Sequence, residues 1–251
     1  MRDIGKYTQE YVKHDFEEKQ VFYRRKKILD IMNTYPHKRI LEIGCGKEPL
    51  FQYVNDFEEY TVVEPSNLFF EHAVTLSEND SRITNIHDFF GKNILLAEGA
   101  KYDFVICSSL LHELEDPMEI LEKVYEIADD NTVFHINVPN AKSLHRILAL
   151  ESGLIENLYQ VSDRGKLYQQ ADVFDLDSLK QLAENNGFKV MESGSYFVKP
   201  FTHKQMGRLL DEQIIDERVL EGFYNLATYL PDYGSEIYIN VKKDNTVKNN
   251  N

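Results

Sequence analysis

The sequence predicts an α/β protein with a Rossmann-like, mostly parallel sheet of seven strands and helices on both faces. Apolar runs of strand length alternate with segments of helical spacing through most of the chain. The first run, RILEI at 39–43, leads directly into two closely spaced glycines, Gly44 and Gly46. The spacers between the first five runs are long enough for crossover helices, which parallel strands require. We expect the last strand to be antiparallel.

The predicted elements follow one another in a regular order. Strands are predicted at 39–43, 60–64, 82–86, 103–107, 132–138, 189–198 and 236–243. Helices are predicted at 8–35, 50–56, 67–76, 116–128 and 175–188, with two more at 202–230. Pro117 falls in the first turn of its helix, where its missing N–H is harmless, and Gly187 marks a helix end.

The chain shows no internal repeat and no linker rich in proline or glycine. We therefore expect a single domain over residues 1–243, which begins with a helical segment at 1–36. The alternation loosens at 140–172, where we expect an insertion rich in aromatic and charged residues. The polar segment at 244–251 is predicted to be a disordered tail.

Composition and charge limit the partners. The 251 residues carry a formal net charge of -14, which repels phosphate backbones and argues against nucleic acid as a partner. The basic run YRRKK at 23–27 is interpreted as a solvated helix face. No apolar run approaches the roughly 20 residues that span a membrane. The cysteines, Cys45 and Cys107, are expected to be reduced and buried, as in a cytoplasmic protein.

Ligands of a parallel sheet bind beyond the carboxyl ends of its strands. The segments that follow predicted strands are 42–49, 64–66, 88–90, 108–113 and 137–140. Gly44 and Gly46 allow a tight turn and a close approach of the backbone to a ligand. Glu64 stands at the end of the second strand, 20 residues after Gly44, where a carboxylate can accept hydrogen bonds from ribose hydroxyls. This pairing predicts a cofactor that contains adenosine.

Several motifs in this order resemble those of class I S-adenosylmethionine-dependent methyltransferases. Glu42, Gly44 and Gly46 match the first motif, and Glu64 matches the acid after the second strand. LLHELEDP resembles the run after the fourth strand, with Glu113 in place of a second histidine. The resemblance covers about residues 39–198 and implies S-adenosylmethionine as the cofactor. It implies as cofactor-binding residues Glu42, Gly44, Cys45, Gly46, Glu64, Pro65, Asp88, Phe89 and Ser108, with Asp88 at the adenine amine.

The loop departs from both glycine patterns that it resembles. Pro49 stands where a dinucleotide-binding loop needs a third glycine, and Glu48 stands at the third glycine of the methyltransferase family. A diphosphate would be repelled by Glu48, whereas S-adenosylmethionine has no phosphate and carries a sulfonium and an ammonium. The departure therefore favours the cationic cofactor. We expect the Glu48 side chain to point to solvent.

Methyl transfer to a hydroxyl needs alignment of donor and acceptor and removal of a proton. His112 is the first candidate for the base, and Glu113 is either the base itself or a residue that orients His112. No clear set of three acidic ligands follows the strands, so no metal is expected. The resemblance implies a lid at 1–36 and an acceptor pocket in the insertion. The candidate substrate residues are Tyr7, Tyr11, His14, His145, Arg146, Arg164 and Tyr168.

The later segments look like those of quinone- and sugar-methylating enzymes, which implies O-methylation of a small polar acceptor, such as a sugar or a nucleotide-linked precursor. The Asn/Asp-Pro-Pro-aromatic motif of amine-methylating enzymes on DNA and protein glutamine is absent. A catalytically silent S-adenosylmethionine-binding partner or regulatory subunit remains the alternative function. A homodimer is left open.

Overall fold

The computed structural model describes residues 16–161, 165–166 and 170–245. Its helices are α1 (Glu17–Met32), α2 (Asn67–Ser77), α3 (Met118–Ile127), α4 (Leu144–Glu151), α5 (Leu176–Asn185), α6 (His203–Asp211) and α7 (Glu217–Asn225). Its strands are β1 (Arg39–Ile43), β2 (Glu59–Val63), β3 (Ile83–Ile86), β4 (Phe104–Ser108), β5 (Val133–Pro139), β6 (Phe188–Tyr196) and β7 (Glu236–Lys243). Single 3-10 turns occur at Leu50–Gln52, Leu111–Glu113 and Leu226–Thr228.

The strands form one seven-stranded sheet in the order β3-β2-β1-β4-β5-β7-β6. The strands β1 to β5 pair in parallel, and β7 runs antiparallel to both β5 and β6. The predicted fold class is therefore confirmed, including the antiparallel last strand. Because β1 has β2 on one side and β4 on the other, the strand order reverses at β1 and a crevice opens beyond its carboxyl end.

Two apolar layers cover the faces of the sheet. Successive side chains of a strand point to opposite faces, so Ile40 of β1 joins the layer that contains Phe104, while Leu41 and Ile43 join the layer that contains Val105. The sheet is thus buried on both sides, which explains why β1 and β4 read as continuous apolar runs. Both cysteines are free and buried, as expected.

Helix α1 is attached to the sheet by a buried polar contact as well as by apolar packing. The Glu236 carboxylate on β7 accepts hydrogen bonds from Arg24 Nε at 2.9 Å and Arg24 Nη2 at 2.6 Å. It also accepts from Gln20 Nε2 at 3.0 Å and from the Tyr196 hydroxyl on β6. The interpretation of YRRKK as a solvated face is wrong, because Tyr23 and Arg24 are buried and Arg24 needs this partner.

One predicted helix differs from the structure. The helix predicted at 50–56 is only the 3-10 turn Leu50–Gln52. The segment 140–172, where we expect an insertion, contains α4, none of whose residues is buried. Within the part of the chain that the structure describes, no helix is both long and apolar enough to cross a bilayer.

Replacing Glu236 by Gln should destabilise the fold, because Arg24 would lose the buried carboxylate that accepts its hydrogen bonds and keep the more distant Glu17, whose Oε1 lies 3.6 Å from Nη2. Removal of one member of a buried pair costs about 3–5 kcal/mol, and we expect a loss of that size in urea unfolding. The double variant Arg24→Met with Glu236→Leu should recover part of the lost stability, because it removes both buried charges. Glu212→Gln, which breaks the exposed pair with Arg208, is the control and should change stability by less than about 0.5 kcal/mol. Equal stability of Glu236→Gln and the control would contradict the expectation.

Candidate functional site

A cavity opens at the carboxyl ends of β1, β2 and β4, where the strand order predicts a ligand site. Helix α1 forms one wall, and the loops that follow the three strands form the others. Its volume of about 210 Å³ corresponds to roughly a dozen waters, or one organic ligand in their place. Phe69, Phe90, Leu114 and Ile120 contribute apolar surface. The cavity is therefore mixed in character, with apolar walls and a polar floor.

The floor is the loop that follows β1. Gly44 has φ +74° and Gly46 has φ +58°, a region that side chains with a Cβ rarely adopt. A Cβ on Gly44 would also lie 3.4 Å from Cδ2 of Leu110, in the loop after β4. Gly44 thus allows the loops after β1 and β4 to lie close together.

Glu64 holds this floor from the side of β2. Its Oε2 accepts a hydrogen bond from Gly46 N at 3.1 Å, and its Oε1 accepts one from Ser66 N at 2.8 Å. The Cys45 thiol lies 3.7 Å from Oε2. Burial raises the pKa of Glu64, and the backbone donors of Ser66 and Gly46 oppose the rise. Among the described residues, Oε1 accepts from Ser66 N alone and keeps a further lone pair that can accept a hydrogen bond from a ligand.

Glu42 lies deeper and supports the end of the loop. Its carboxylate accepts hydrogen bonds from Leu50 N at 3.1 Å and from the Tyr60 hydroxyl at 2.8 Å. Burial raises the pKa of Glu42 to about 7, and the neighbouring charge of Glu64 adds to the rise. The residue therefore changes charge near neutral pH, and any cation placed in the cavity would favour its ionised form.

The charges that line the cavity favour a cationic ligand. The lining cations have carboxylate partners: Arg24 pairs with Glu236, Arg25 with Glu48, and Lys47 with Glu18. Glu42 and Glu64 accept hydrogen bonds from neutral donors alone within the described residues. An ammonium or sulfonium in the cavity would meet uncompensated carboxylates, whereas a phosphate would be repelled by them.

The expectation that Glu48 points to solvent holds only in part, because its side chain is 37% exposed but its carboxylate has partners in the protein. Its carboxylate forms an ion pair with Arg25 on α1, and the Tyr53 hydroxyl lies 3.4 Å from it. The guanidinium of Arg25 also lies over the Tyr53 ring, 3.8 Å from its centroid. Glu48 turns toward the helix because the cation and the ring offer it partners there.

The two candidates for the base lie on the 3-10 turn after β4. Glu113 lines the cavity, while His112, although buried, does not. His112 Nε2 lies 3.9 Å from Glu113 Oε1, and the carbonyl oxygen of His112 accepts hydrogen bonds from Ala171 N and Asp172 N. The structure therefore brings Glu113 closer to a ligand than His112, and it places His112 behind Glu113.

The remaining cofactor candidates divide into two groups. Cys45, Pro65, Ser108 and Phe89 line the cavity. Asp88 is exposed beyond the end of β3, does not line the cavity, and accepts a hydrogen bond from Phe89 N at 2.8 Å. Its proposed contact with the adenine amine stays a prediction.

The substrate candidates are only partly described. Tyr7, Tyr11, His14, Arg164 and Tyr168 lie outside the described residues. Arg146 donates hydrogen bonds to the carbonyl oxygens of Leu158 and Gln160, so its guanidinium holds the insertion together. Burial, together with the charges of Lys199 and Arg146, lowers the pKa of His145 well below its usual value. His145 and Arg146 do not line the cavity as described.

A buried hydrogen-bonded chain supports the cavity rim and was not foreseen from the sequence. The backbone N–H of Ser109, which has φ +55°, donates to Asn137 Oδ1 at 3.1 Å. Asn137 Nδ2 donates to His135 Nε2 at 3.0 Å, and His135 Nδ1 donates to Asn240 Oδ1 at 2.7 Å. Asn240 Nδ2 then donates to Glu192 at 3.0 Å. Burial lowers the pKa of His135 to about 4, so the ring stays neutral, as this pattern requires.

Comparison with known proteins identifies the family. The family model described as a methyltransferase domain matches residues 14–193, which is most of the chain. The chain therefore belongs to the methyltransferase-domain family, in agreement with the resemblance. It is 27% identical over 120 residues to the thiol S-methyltransferase TMT1B of Mus musculus, a match that covers 47% of this chain and 48% of the relative. The chain thus spans about half the length of the curated relatives that it matches.

Solved structures share the fold at low sequence identity. The N-methyltransferase NodS from Bradyrhizobium japonicum, in complex with S-adenosyl-L-homocysteine, has a TM-score of 0.55, is 10% identical, and the match covers 93% of this chain and 90% of that one. An S-adenosylmethionine-dependent methyltransferase from Clostridium acetobutylicum has a TM-score of 0.55, is 11% identical, and the match covers 93% and 94%. The [4+2]-cyclase SpnF, at a TM-score of 0.56 and 12% identity, has the same fold, with 87% and 80% covered. Structural likeness at these identities shows the fold alone.

The donor set of the cavity fits S-adenosylmethionine. The Gly44–Gly46 turn leaves open space at the Cβ position of Gly46, where no atom lies within 4 Å. Glu64 offers carboxylate lone pairs to a ribose diol, and the carboxylates suit the positive charges of the cofactor. In the described part of the chain, no group of three His, Cys, Asp or Glu residues has the arrangement of a metal site.

The affinity for S-adenosylmethionine should rise with pH between about 6 and 8. The pKa of Glu42 near 7 lies above its usual value, so the residue is neutral below pH 7, and a bound cation favours the ionised form. Binding therefore lowers this pKa and releases a proton. A drop of one pKa unit corresponds to about a tenfold gain in affinity across the transition.

Calorimetry at several pH values, in buffers of different ionisation enthalpy, measures both the affinity and the released proton. The increase of affinity with pH should be smaller for S-adenosylhomocysteine, which lacks the sulfonium charge. Glu42→Gln should remove most of this pH dependence, because the amide does not titrate. The amide oxygen can still accept the hydrogen bond from Leu50 N. The same pH slope in Glu42→Gln and in the unaltered protein would show that another group titrates.

Proposed function

We propose that this enzyme transfers the methyl group of S-adenosylmethionine to a hydroxyl oxygen of a small polar acceptor, such as a sugar or a nucleotide-linked precursor. The observation that carries the proposal is the cavity itself. Gly44, Gly46 and Glu64 line it together with Glu113, which supports a cofactor held by the first three and an acceptor near Glu113. When bound, the cofactor supplies an electrophilic methyl group on a sulfonium.

Glu64 is proposed to bind the ribose hydroxyls of the cofactor. Both of its oxygens are fixed by backbone donors, Gly46 N and Ser66 N, so the carboxylate is already oriented when the free position on Oε1 accepts a ligand hydroxyl. The same contacts shape the turn of the loop. Glu64 therefore joins cofactor binding to loop geometry.

Glu113 is proposed to take the proton from the acceptor hydroxyl. It is 7% exposed, enough to reach the cavity while most of its surface is removed from water. His112, 3.9 Å away and behind it, is proposed as the residue that orients this carboxylate. From the sequence alone, His112 is the first candidate for the base. We now prefer Glu113, because it lines the cavity and His112 does not.

A thiol acceptor is the second candidate function. It is favoured by the match to the thiol S-methyltransferase TMT1B, although that match covers about half of each chain. A thiol has an ordinary pKa of about 8.5 and ionises far more easily than an alcohol, so it needs less help from a base. The two candidates therefore differ in how strongly turnover depends on Glu113.

Replacing Glu64 by Gln should weaken the binding of S-adenosylhomocysteine by about tenfold to a hundredfold, because hydrogen bonds to a charged acceptor contribute roughly 1.5–3 kcal/mol. Calorimetry measures the affinity. Glu59→Gln, an exposed acid at the start of the same strand, is the control and should bind as before. Unchanged affinity in a folded Glu64→Gln protein would remove Glu64 from the ribose role.

Replacing Glu113 by Gln should lower kcat for hydroxyl acceptors by about a hundredfold or more, the usual contribution of a general base, with cofactor affinity nearly unchanged. The test is a panel of matched alcohols, thiols and amines, with methylated product measured by mass spectrometry. A large loss for alcohols supports O-methylation by Glu113. Turnover of thiols alone, with little loss in Glu113→Gln, would favour the second candidate. Cofactor binding without turnover of any acceptor would leave the silent binding partner.

A further inference from the structure

We propose that Glu48 and Arg25 are positioning residues that hold the cofactor loop, residues 44–49, in its binding shape. The inference deepens the proposed function and rests on it, because it assumes that the cavity holds S-adenosylmethionine. It assigns a role to the residue that stands at the third glycine of the family motif.

The cofactor loop receives little support from the chain that follows it. Only the 3-10 turn Leu50–Gln52 lies between the loop and β2, so no regular helix fixes the loop from that side. Gly44 and Gly46 add backbone freedom, and Pro49 has no N–H to donate. Backbone hydrogen bonds hold its two ends, from Gly44 N to Val63 O and from Gln52 N to Pro49 O, so its middle depends on side chains.

Two side chains also hold the loop near its ends. Glu64 accepts from Gly46 N, and Glu42 accepts from Leu50 N, directly after the loop. Between these points lie residues 47–49. The Glu48 side chain, paired with Arg25, is the contact that joins this middle part to α1 most closely.

The contact is more than an exposed ion pair. The Arg25 side chain is 16% exposed, so solvent and salt screen it less than a surface group. Its guanidinium lies 3.8 Å from the centroid of the Tyr53 ring, and the Tyr53 hydroxyl lies 3.4 Å from the Glu48 carboxylate. Tyr53 thus orients both members of the pair, which lowers the conformational entropy that the pair must lose.

Arg25 also stands on a rigid element. Its neighbour Arg24 is fixed by the buried Glu236 carboxylate, and Tyr23 stacks on Phe197 with ring centroids 4.5 Å apart. The backbone of α1 at Arg25 is therefore fixed to the sheet. Through Arg25, Glu48 connects the cofactor loop to that fixed position, and the loop is pre-organised before a ligand binds.

The test compares Glu48→Gln, Arg25→Met and the charge swap Arg25→Glu with Glu48→Arg. Hydrogen–deuterium exchange of the ligand-free protein reports the order of the peptide that contains the loop. Calorimetry with S-adenosylhomocysteine reports affinity. Each single variant should raise exchange in the loop and weaken binding by about threefold to tenfold, in line with a partly buried pair. The charge swap should restore both properties toward the original values.

Glu221→Gln is the matched control. Glu221 pairs with Lys26, the next residue on the same helix, and it lies away from the cavity. It should change neither loop exchange nor affinity. Glu48→Gly, which restores the glycine of the family motif, should behave like Glu48→Gln, since it also lacks the contact with Arg25.

The outcomes separate this inference from the proposed function. If the original protein binds S-adenosylhomocysteine and Glu48→Gln changes neither loop exchange nor affinity, only the positioning role is overturned. The charge swap could restore loop order but not affinity. That result would assign a direct cofactor contact to Arg25 and would also overturn the positioning role. Failure of the unaltered protein to bind S-adenosylhomocysteine would reject the cofactor site, while the exchange data would still decide whether the pair orders the loop.

Discussion

The buried ion pair between Arg24 and Glu236 is the contact on which the shape of the cavity depends. A buried charge is costly unless it is paired and its remaining hydrogen-bonding positions are filled. Glu236 meets this condition with Arg24, Gln20 and the Tyr196 hydroxyl, and so joins α1 to both β6 and β7. Because α1 forms one wall of the cavity and Arg24 itself lines it, this contact helps to set the position of that wall.

Three carboxylates near the cofactor loop act differently because their surroundings differ. Glu42 is deeply buried and has a pKa of about 7, so it is only partly ionised near neutral pH. Glu64 accepts backbone N–H groups that oppose the rise of its pKa. Glu48 is partly exposed and has a cation as its partner. The carboxylates that would repel a diphosphate thus also make the contacts that shape the loop.

The sequence predicted the fold and several residues that line the cavity, because those features are local. Strand patterning, the Gly44–Gly46 turn and the strand end at Glu64 are each determined by residues close in the chain. Contacts between distant segments could not be predicted this way. The pairing of Glu48 with Arg25 joins positions 23 residues apart, and that of Arg24 with Glu236 joins positions 212 apart. Without these partners, Arg24 and Arg25 look like solvated cations and Glu48 like a solvated acid.

The rim of the cavity after β4 is also held by contacts between segments that are distant in the sequence. Ser109 adopts a backbone conformation that a residue with a Cβ rarely takes, and such strain persists only where surrounding contacts fix it. Both the side-chain and the backbone oxygen of Asn137 accept from Ser109 N, and neutral His135 holds the Asn137 amide from behind. The floor and the rim are therefore both held by acceptors that are in place without a ligand. Binding energy from a cofactor is then not needed to order these loops and remains available for its alignment with the acceptor.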